Sequence, residues 1–567
     1  MPHFDEDKQN RKISDLLRKE EEDSMQALSN ATGIPYVDLS IVSVNTDALR
    51  FIEESVARQN NIAAFALVDK VLKVAIHSPE SAGVEEVLNN LRSNGFTISP
   101  FLASTASLQK AWASYKDLSF ATETKAGSLE VNSEDMSNII KDVKSLNGIV
   151  DILNTTLSQK KGYRVSRILE TILAGSLALK ASDVHIEPEE KYVRLRYRLD
   201  GVLTDVINFD HDTYNLLLSR IKLLSGLKLN IKHEPQDGRF SIKLANTEIE
   251  IRTSMLPGAY SESIVMRVLN PSSIATPLED LGISPKLLGH LLTAINKPNG
   301  MILNTGPTGS GKTTTLYALL KKIHDPSVDI GMKIITIEDP IEYHLEGITQ
   351  TQVNDKGYNF LEGLRSALRQ DPDVIMVGEI RDSETARIAI DSALTGHLVF
   401  STLHTNTAAG TFPRLIELGI NPKVITSAIT LAMAQRLVRK LCDSCKKQIP
   451  LEAGSEIKKK IDAVIDGIVD PADMPPQREV MYLPVGCKDC NQSGYKGRVG
   501  VYEAILMSGK DGAGNREVEN AIESMGSEHE IAKAAKVQAI PTMAEEGVVK
   551  VLKGITSLEE LERVIEL

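Results

Sequence analysis

One segment, Gly306-Pro-Thr-Gly-Ser-Gly-Lys-Thr313, constrains the fold of this chain more than any other. It matches the phosphate-binding loop pattern GxxxxGK[ST], in which glycines let backbone N–H groups close around phosphate oxygens. The apolar stretch Met301–Asn304 before it is typical of a strand, and the residues from Thr313 to about His324 have helical spacing. Because such strand–loop–helix units belong to parallel α/β sheets, the chain is predicted to contain one.

The loop predicts a nucleotide site with magnesium. Lys312 is expected to reach the terminal phosphates, the Thr313 hydroxyl to ligate Mg²⁺, and the helix N-terminus to favour negative charge. ATP is the expected nucleotide. The predicted nucleotide-binding residues are Gly306, Pro307, Thr308, Gly309, Ser310, Gly311, Lys312, Thr313 and Thr314.

Two further predicted strands carry carboxylates to the same edge of the sheet. The stretch Asp373–Glu379 ends in Glu379, where P-loop enzymes place an acid near magnesium and the attacking water. Another, Lys333–Ile337, runs into Glu338 and Glu342, at the strand end where α/β proteins bind ligands. The pattern leaves open which of Glu338, Glu342 and Glu379 is the general base. The stretch Asp339–Glu342 also fits the start of a helix, with Asp339 as N-cap, a proline in the first turn and Glu342 completing a capping box.

Two histidines, His397 and His404, flank the apolar stretch Leu398–Leu403, which is typical of a buried strand. A histidine at a strand end can bond to a phosphate oxygen or sense its charge. Lone histidines are more often structural, so both interpretations stay open on the residue pattern alone.

The four cysteines form two Cys-x-x-Cys pairs, Cys442/Cys445 and Cys487/Cys490. Two such pairs supply the four thiolates of a tetrahedral zinc site, so structural zinc is the predicted cofactor. Disulfides are disfavoured in a cytosolic chain. A redox pair, or a zinc ribbon that contacts nucleic acid, is the competing interpretation, because lysines lie beside both pairs.

The charge balance disfavours a nucleic-acid partner. The chain has 64 Lys and Arg against 76 Asp and Glu, a net charge of -12, and 4% aromatic residues. Binding to nucleic acid needs basic surface and, for single strands, stacked aromatics. The N-terminus is charged rather than apolar, and no apolar run reaches the ~18 residues of a membrane-spanning helix. A cytoplasmic location is therefore expected.

Several segments together resemble the signature boxes of one known family. Four lie in the C-terminal half: Gly306–Thr313, Ile335–Glu342, Leu368–Asp382 and Ala393–Asn406. The resemblance continues upstream through Ala181–Pro188, Arg196–Leu203 and Pro235–Phe240 and, more weakly, Gly33–Leu39. By these motifs the chain resembles the type II secretion and type IV pilus assembly ATPases over nearly its whole length. It departs from the family at Ser261, where glycine is usual.

The resemblance implies a role for each acidic and histidine candidate. In that family Glu342 is the base for water, Glu379 supports magnesium, and His397 and His404 form a histidine box. The assembly branch of the family also carries a tetracysteine insert, which adds to the case for zinc.

The resemblance also implies a hexamer in which arginines of the middle domain approach the nucleotide. Arg252 and Arg267 occupy the matching places. An arginine that meets the developing phosphate charge accelerates phosphoryl transfer by orders of magnitude.

The predicted fold class is multidomain α/β, with a RecA-like P-loop ATPase core preceded by α/β domains and interrupted by the zinc insert. Alternation of strand-like and helical spacing supports these divisions. They are a charged segment 1–27, an N-terminal α/β domain 28–118, a linker with a helix 119–160, a PAS-like middle domain 161–275 and the ATPase domain 276–567, which includes the zinc-binding insert 440–500 and a helical part 501–567.

The implied function is that of a cytoplasmic hexameric ATPase that couples ATP hydrolysis to assembly of a type IV pilus or a type II secretion pseudopilus. The implied partners are other copies of the chain, an inner-membrane platform protein and its cytoplasmic adaptor, at the inner face of the cytoplasmic membrane, with no direct contact to nucleic acid. One alternative is a nucleic-acid translocase or conjugation-type ATPase. Another is a module regulated by a cyclic dinucleotide, although residues 1–40 lack a convincing Arg- and Gly-rich repeat.

Overall fold

The structure is a computed structural model of the 567-residue chain. It describes residues 20–39, 41–42, 44–49, 51–68, 71–79, 81–93, 96–117, 128–129, 133–158, 164–244, 247–270, 276–325, 331–354, 357–507 and 513–567. The chain forms two compact units. The first draws on Met1–Asn138, Val150–Ala174 and Asp210–Asn230, and the second on Ile139–Ile149, Gly175–Phe209 and Ile231–Leu567. Most of the predicted charged segment 1–27 lies outside the described residues.

A three-stranded sheet organises the first unit. Its strands are β1 (Ile62–Val68), β2 (Val71–Ile76) and β3 (Thr97–Leu102), with β1 and β2 antiparallel and β2 and β3 parallel. The helices around it are Thr46–Leu49, Glu54–Gln59, Ala82–Ser93 and Thr105–Ala113, followed by a 3-10 turn at Ser114–Asp117. Apolar residues of strands and helices share one buried cluster, which is the main source of stability.

A helix over residues 20–32 crosses the division predicted at residue 27. Glu22 accepts a hydrogen bond from the Ser104 hydroxyl at 2.6 Å, and Glu21 accepts one from the Thr105 backbone N–H at 2.8 Å. Both acids therefore meet the N-terminus of the helix Thr105–Ala113, where negative charge is favoured. Glu21 and Glu22 therefore anchor the helix over residues 20–32 to its unit.

The predicted linker and middle domain contribute to both units. The linker region holds a two-residue strand, β4 (Ser128–Leu129), and two helices rather than one, Ser133–Asp142 and Leu146–Ser158. The helices Arg164–Ala178 and His211–Leu224 follow. Most of the first of these and all of the second belong to the first unit.

Six antiparallel strands form the first sheet of the second unit. They are β5 (Asp183–Pro188), β6 (Val193–Leu199), β7 (Val202–Phe209), β8 (Gln236–Leu244), β9 (Thr247–Pro257) and β10 (Glu262–Leu269), in the order β8-β9-β10-β5-β6-β7. Arg267 in β10 lies opposite Arg252 in β9 and Asp183 in β5. In the β9–β10 turn, the Ser261 carbonyl accepts from Gly258 at 3.0 Å. Ser261 does not adopt a positive φ, so this turn does not require the family's glycine.

The second sheet carries the phosphate-binding loop. Its strands are β11 (Gly300–Thr305), β12 (Ile334–Glu338), β13 (Thr349–Gln352), β14 (Val374–Val377), β15 (Leu398–Leu403), β16 (Ile429–Leu441) and β19 (Tyr495–Leu506). They lie in the order β13-β12-β14-β15-β11-β16-β19, and only β19 is antiparallel to its neighbour. The flanking helices are Pro285–Ile295, Lys312–Ile323, Phe360–Leu368, Ser383–Leu394, Thr411–Glu417 and Pro422–Ala428, with a 3-10 turn at Leu278–Leu281.

The parallel strands β11, β12, β14 and β15 are buried from end to end, as expected when helices cover both faces of a sheet. Their carboxyl ends meet at one edge, where ligands of such sheets bind. The loops after β11, β12, β14 and β15 therefore share that edge. This arrangement is the α/β core that the phosphate-loop motif predicts.

The four cysteines lie in the excursion between β16 and β19. That excursion contains the hairpin β17 (Lys447–Pro450) and β18 (Val480–Leu483), the helix Glu456–Ile465, and 3-10 turns at Pro471–Asp473 and Lys488–Cys490. The C-terminal helices are Ala513–Glu523, Glu528–Ala535, Met543–Leu552 and Leu558–Glu562, with a 3-10 turn at Lys536–Gln538. No helix in the described ranges has both the length and the apolar character to cross a membrane.

Candidate active site and metal centre

The phosphate loop has room for phosphate only because glycines stand at its tightest points. Gly306 and Gly311 have φ of 150° and 90°. A Cβ on Gly306 would lie 2.6 Å from the Gln435 carbonyl oxygen, and one on Gly311 would lie 2.8 Å from Gln435 Nε2. Gly311 also begins the helix Lys312–Ile323 without a side-chain cap, so the first N–H groups of that helix are available to an anion.

Lys312, the one cationic side chain of the loop sequence, bonds to the backbone of the loop itself. Lys312 Nζ donates to the Gly306 carbonyl at 2.7 Å and to the Pro307 carbonyl at 3.1 Å. Burial lowers the pKa of Lys312, nearby Arg436 lowers it further, and the charge of Glu379 acts in the opposite direction. Among the other predicted nucleotide residues, Thr308 and Gly309 are exposed, Ser310 is buried, and Thr313 and Thr314 are half-buried in the first helical turn.

Glu379 stands just beyond β14 between a histidine and an arginine. His404 Nε2 donates to Glu379 Oε2 at 2.8 Å, and Arg381 Nη2 pairs with Glu379 Oε1. Burial alone would raise the pKa of Glu379, but these two partners outweigh it and hold the pKa below its ordinary value. Arg381 also lies 3.6 Å from Asp339, which joins the loop after β14 to the loop after β12. The lowered pKa favours the ionised form of Glu379, the form that can attract a cation.

Glu338, the last residue of β12, is 2% exposed and fully engaged. Its Oε1 accepts from the Thr336 hydroxyl at 2.5 Å and from Gln350 Nε2 at 3.0 Å, while Oε2 accepts from the Tyr317 hydroxyl. Burial raises the pKa of Glu338 against the lowering effect of these donors. A carboxylate held in this way has no free oxygen to offer a water molecule, so of the three candidates Glu338 fits a general base least.

Glu342 remains open to chemistry. Residues 339–348 form no helix, so the capping-box alternative for Glu342 is wrong. Its side chain is 30% exposed and lies 3.3 Å from Arg252 Nη1, while Arg252 Nη2 donates to the Ile341 carbonyl at 2.7 Å. The Glu342 N–H donates to the Tyr317 hydroxyl at 3.4 Å, which ties this loop to the buried Glu338 network.

The two predicted arginines are held differently. Arg252 reaches the acidic loop, but Arg267 Nε donates to Asp183 Oδ1 at 3.1 Å and its side chain is 58% exposed. Asp183 also pairs with Arg198 at 3.1 Å. Within one chain, therefore, Arg252 meets Glu342 and Arg267 does not.

The two predicted histidines do not come together. His404 follows β15 at the phosphate edge, whereas His397 precedes β15 and donates through Nδ1 to the Ser392 carbonyl at 3.0 Å. Six strand residues separate them, or roughly 20 Å at about 3.3 Å per residue. Within the protomer His397 therefore lies away from the site, where it bonds the C-terminal end of the helix Ser383–Leu394.

The structure adds residues that the motifs did not reveal. Gln435 and Arg436 in β16 lie beneath the phosphate loop, and a Cβ on Gly306 would be 3.2 Å from Arg436 Nη1. Both are buried. The sequence does contain a signal for these two residues. The polar pair Gln435-Arg436 follows the mostly apolar stretch Ile429–Ala434, and a strand buried on both faces normally has no place for polar side chains without a specific role.

The four cysteine sulfurs form a compact cluster, all within 4.8 Å of one another. The Sγ–Sγ distances are 3.8 Å for Cys442–Cys487, 3.8 Å for Cys445–Cys490 and 3.7 Å for Cys487–Cys490. A tetrahedron with Zn–S bonds of about 2.3 Å has edges of about 3.8 Å, whereas a disulfide needs about 2.05 Å. The donor set therefore fits a tetrahedral zinc ion.

Backbone N–H groups donate hydrogen bonds to one sulfur of the cluster, that of Cys490. Cys490 Sγ accepts from the N–H of Cys487 at 3.1 Å and of Gly494 at 3.2 Å. Burial raises the pKa of Cys490, but these donors outweigh it and bring the pKa to about 7. The cluster is also joined to its surroundings, because Asn491 Oδ1 accepts from the Leu146 N–H at 2.8 Å.

Comparison with known proteins agrees with this architecture. Residues 158–563 match the family model described as Type II/IV secretion system protein, and residues 32–121 match the MshEN domain model. The chain is 41% identical to Type II secretion system protein E of Pseudomonas aeruginosa over 433 residues, covering 76% of this chain and 81% of that protein. It is 37% identical to the type IV pilus assembly ATPase PilB of Myxococcus xanthus over 539 residues, covering 94% of this chain and 89% of that protein. In fold it resembles the X-ray structure of the Legionella pneumophila ATPase DotB, with a TM-score of 0.50, 22% identity and coverage of 72% of this chain and 97% of DotB.

Proposed function

This chain belongs to the Type II/IV secretion system protein family, and we propose that it powers assembly of a type IV pilus or a type II secretion pseudopilus as a ring of six subunits. It is an ATPase of that family. The observation that carries the proposal is the meeting, at one sheet edge, of the phosphate loop, the Glu379–His404 pair and the Glu342–Arg252 pair.

In this site Glu342 is the general base and Glu379 the acid on the magnesium side. Glu342 is favoured because its carboxylate is partly exposed and meets a single arginine, whereas Glu338 is buried and saturated with donors. Glu379 is ionised and near Lys312, and with the Thr313 hydroxyl it provides oxygen ligands for Mg²⁺. Bound magnesium would neutralise charge that develops on the phosphates.

The two arginines have separate tasks. Arg252 acts within its own subunit, because it already bonds the Glu342 loop through two nitrogens. Arg267 acts across a subunit boundary, because its side chain is the more exposed of the two and, among the described residues, bonds Asp183 only. A ring with head-to-tail contacts places such a residue at the nucleotide of the neighbouring subunit.

The cysteine cluster is a closed structural zinc site. Its sulfur spacing matches a tetrahedron and its four ligands leave no open position for chemistry. The contribution of zinc is therefore to the folding of the excursion between β16 and β19, not to hydrolysis.

A mixing experiment tests the ring and the two arginines together. Lys312→Ala subunits are mixed with an equal amount of Arg267→Ala subunits, each inactive alone, and phosphate release is measured. If Arg267 acts across the boundary, random mixing restores about a quarter of the sites, since half the subunits keep Lys312 and half of those have a neighbour with Arg267. Mixtures with Arg252→Ala, the matched control, are expected to stay inactive.

Recovery in neither mixture would contradict the trans assignment of Arg267, and recovery with Arg252→Ala would contradict its cis assignment. Stimulation of hydrolysis by DNA would favour the translocase alternative, and an unchanged rate is expected in view of the net charge of -12.

A further inference from the structure

The strand β16 is fastened to the phosphate loop by a buried glutamine. Gln435, which is 1% exposed, accepts through Oε1 from Asn304 Nδ2 at 2.9 Å and from the Thr315 hydroxyl at 2.9 Å. Asn304 belongs to β11, before the phosphate loop, and Thr315 to the helix after it. The backbone of β16 is thus fixed with respect to both sides of the loop.

The next residue, Arg436, turns its guanidinium toward a different segment. Nη2 donates to both the backbone carbonyl and the Oδ1 of Asn406, at 3.0 and 3.1 Å, and Nη1 donates to the Gln435 carbonyl at 3.1 Å. The side chain is 9% exposed, and in the described part of the chain it bonds to these neutral oxygens and to no carboxylate. Burial lowers the pKa of Arg436 and the charge of Glu503 opposes that effect without a direct bond, so the hydrogen bonds of the guanidinium serve to fix geometry.

A second anchor lies next to the first. The Thr305 hydroxyl, at the end of β11, accepts from the Thr405 N–H at 2.8 Å, and the two hydroxyls are 2.7 Å apart. Thr405 and Asn406 directly follow His404, the residue that donates to Glu379. Thr305 and Arg436 therefore fix the position of the segment 404–406. The first residue of that segment, His404, is hydrogen-bonded to Glu379.

We propose that Arg436 is a positioning residue for ATP hydrolysis, which holds the segment 404–406 so that His404 stays bonded to Glu379. It acts through Asn406 and touches neither nucleotide nor water. The two terminal nitrogens of the guanidinium are what matter, because Nη2 holds both oxygens of Asn406 while Nη1 holds the Gln435 carbonyl, which ties the segment 404–406 to β16.

The proposal predicts a split between binding and turnover. Arg436→Lys keeps the positive charge beneath the phosphate loop but has a single terminal nitrogen in place of the two that bond Asn406 and the Gln435 carbonyl. The Kd for a fluorescent ADP analogue is expected to stay within about threefold of wild type, while kcat falls by at least about tenfold, because a small misplacement of the catalytic constellation has large effects on rate. Asn406→Ala, which removes one of the two accepting oxygens, is expected to lower kcat in the same direction but by less.

The effects of Arg436→Lys and Asn406→Ala on kcat are expected to be non-additive. If Arg436 acts through Asn406, the double variant Arg436→Lys/Asn406→Ala loses no more kcat than Arg436→Lys alone, since residues of one network do not add. Amide hydrogen exchange of residues 403–408 is expected to accelerate by about tenfold in Arg436→Lys, while exchange in the phosphate-loop helix is unchanged.

The matched control is Arg439→Lys, three residues along the same strand. The Arg439 fork bonds the buried Glu560 at 2.9 and 2.6 Å, at a place that the site does not use. This variant is expected to lower the melting temperature with kcat within about twofold of wild type. Unchanged kcat in Arg436→Lys, a loss confined to nucleotide affinity, or additive losses in the double variant would each overturn the proposal.

Discussion

Removing one oxygen atom, by Tyr317→Phe, is expected to loosen the strand that leads to Glu342. The Tyr317 hydroxyl donates to the buried Glu338 and accepts from the Glu342 N–H and Gln350. A hydrogen bond to a charged group contributes about 1.5–3 kcal/mol, and its loss leaves a buried carboxylate oxygen unsatisfied. A loss of about 2 kcal/mol corresponds to exchange that is about 30-fold faster for the amides of β12, compared with wild type at the same pH.

The sign of the pH dependence follows from Glu338. Its pKa is raised by burial above its ordinary value, and the Tyr317 hydroxyl partly opposes that rise. The stability that goes with a raised acid pKa is present at low pH and is lost as the pH rises through the folded pKa. Without the hydroxyl, ionised Glu338 is stabilised even less in the folded protein, so the loss of stability in the variant grows with pH. It is expected to be larger at the high end of the working pH range than at the low end.

The control for this prediction is Tyr343→Phe, in the aromatic pair with Tyr317 at 4.7 Å between ring centroids. Within the described residues the Tyr343 hydroxyl makes no hydrogen bond to Glu338, so exchange in β12 is expected to stay near wild type. Equal exchange in wild type and Tyr317→Phe at the highest pH tested, or a defect that does not change with pH, would contradict this prediction.

Two further predictions concern the phosphate loop and the cysteine cluster. Gly306→Ala is expected to weaken binding of a fluorescent ADP analogue by at least about tenfold, because its Cβ would lie 2.6 Å from the Gln435 carbonyl; retained affinity would contradict the geometry of the loop. Cys487→Ser is expected to lose bound zinc, measured by atomic emission, and to speed amide exchange at Leu146, which bonds Asn491 beside the cluster. Zinc content and exchange both equal to wild type would exclude a structural zinc site.

Local motifs carried most of what the sequence revealed. The phosphate loop and its strand and helix could be placed because their geometry is encoded in eight consecutive residues. The four cysteines could be assigned to one site because two Cys-x-x-Cys pairs in one chain are typical of a zinc site. This held although Cys442 and Cys490 are separated by the long excursion between β16 and β19. Glu379 could be placed because a strand that ends in an acid points to the ligand edge.

What the sequence did not reveal depends on contacts between distant segments. Arg252 meets Glu342 because of how the two sheets pack, and Arg267 meets Asp183 because β10 pairs with β5; strand spacing encodes neither contact. His397 and His404 look equivalent in sequence, yet a strand separates them by its full length. Arg436 was missed because its role lies in bonds to Asn406, 30 residues away in the chain.

The most direct test of the account measures magnesium-dependent phosphate release and molar mass by light scattering on the same samples. Wild type, Lys312→Ala, Glu342→Gln and Arg267→Ala are compared. We expect a six-subunit mass for the active species and a loss of at least about a hundredfold in kcat for Lys312→Ala and Glu342→Gln, with Arg267→Ala impaired even when its mass is unchanged. Full hydrolysis by a monomer, indifferent to Glu342 and Arg267, would contradict it.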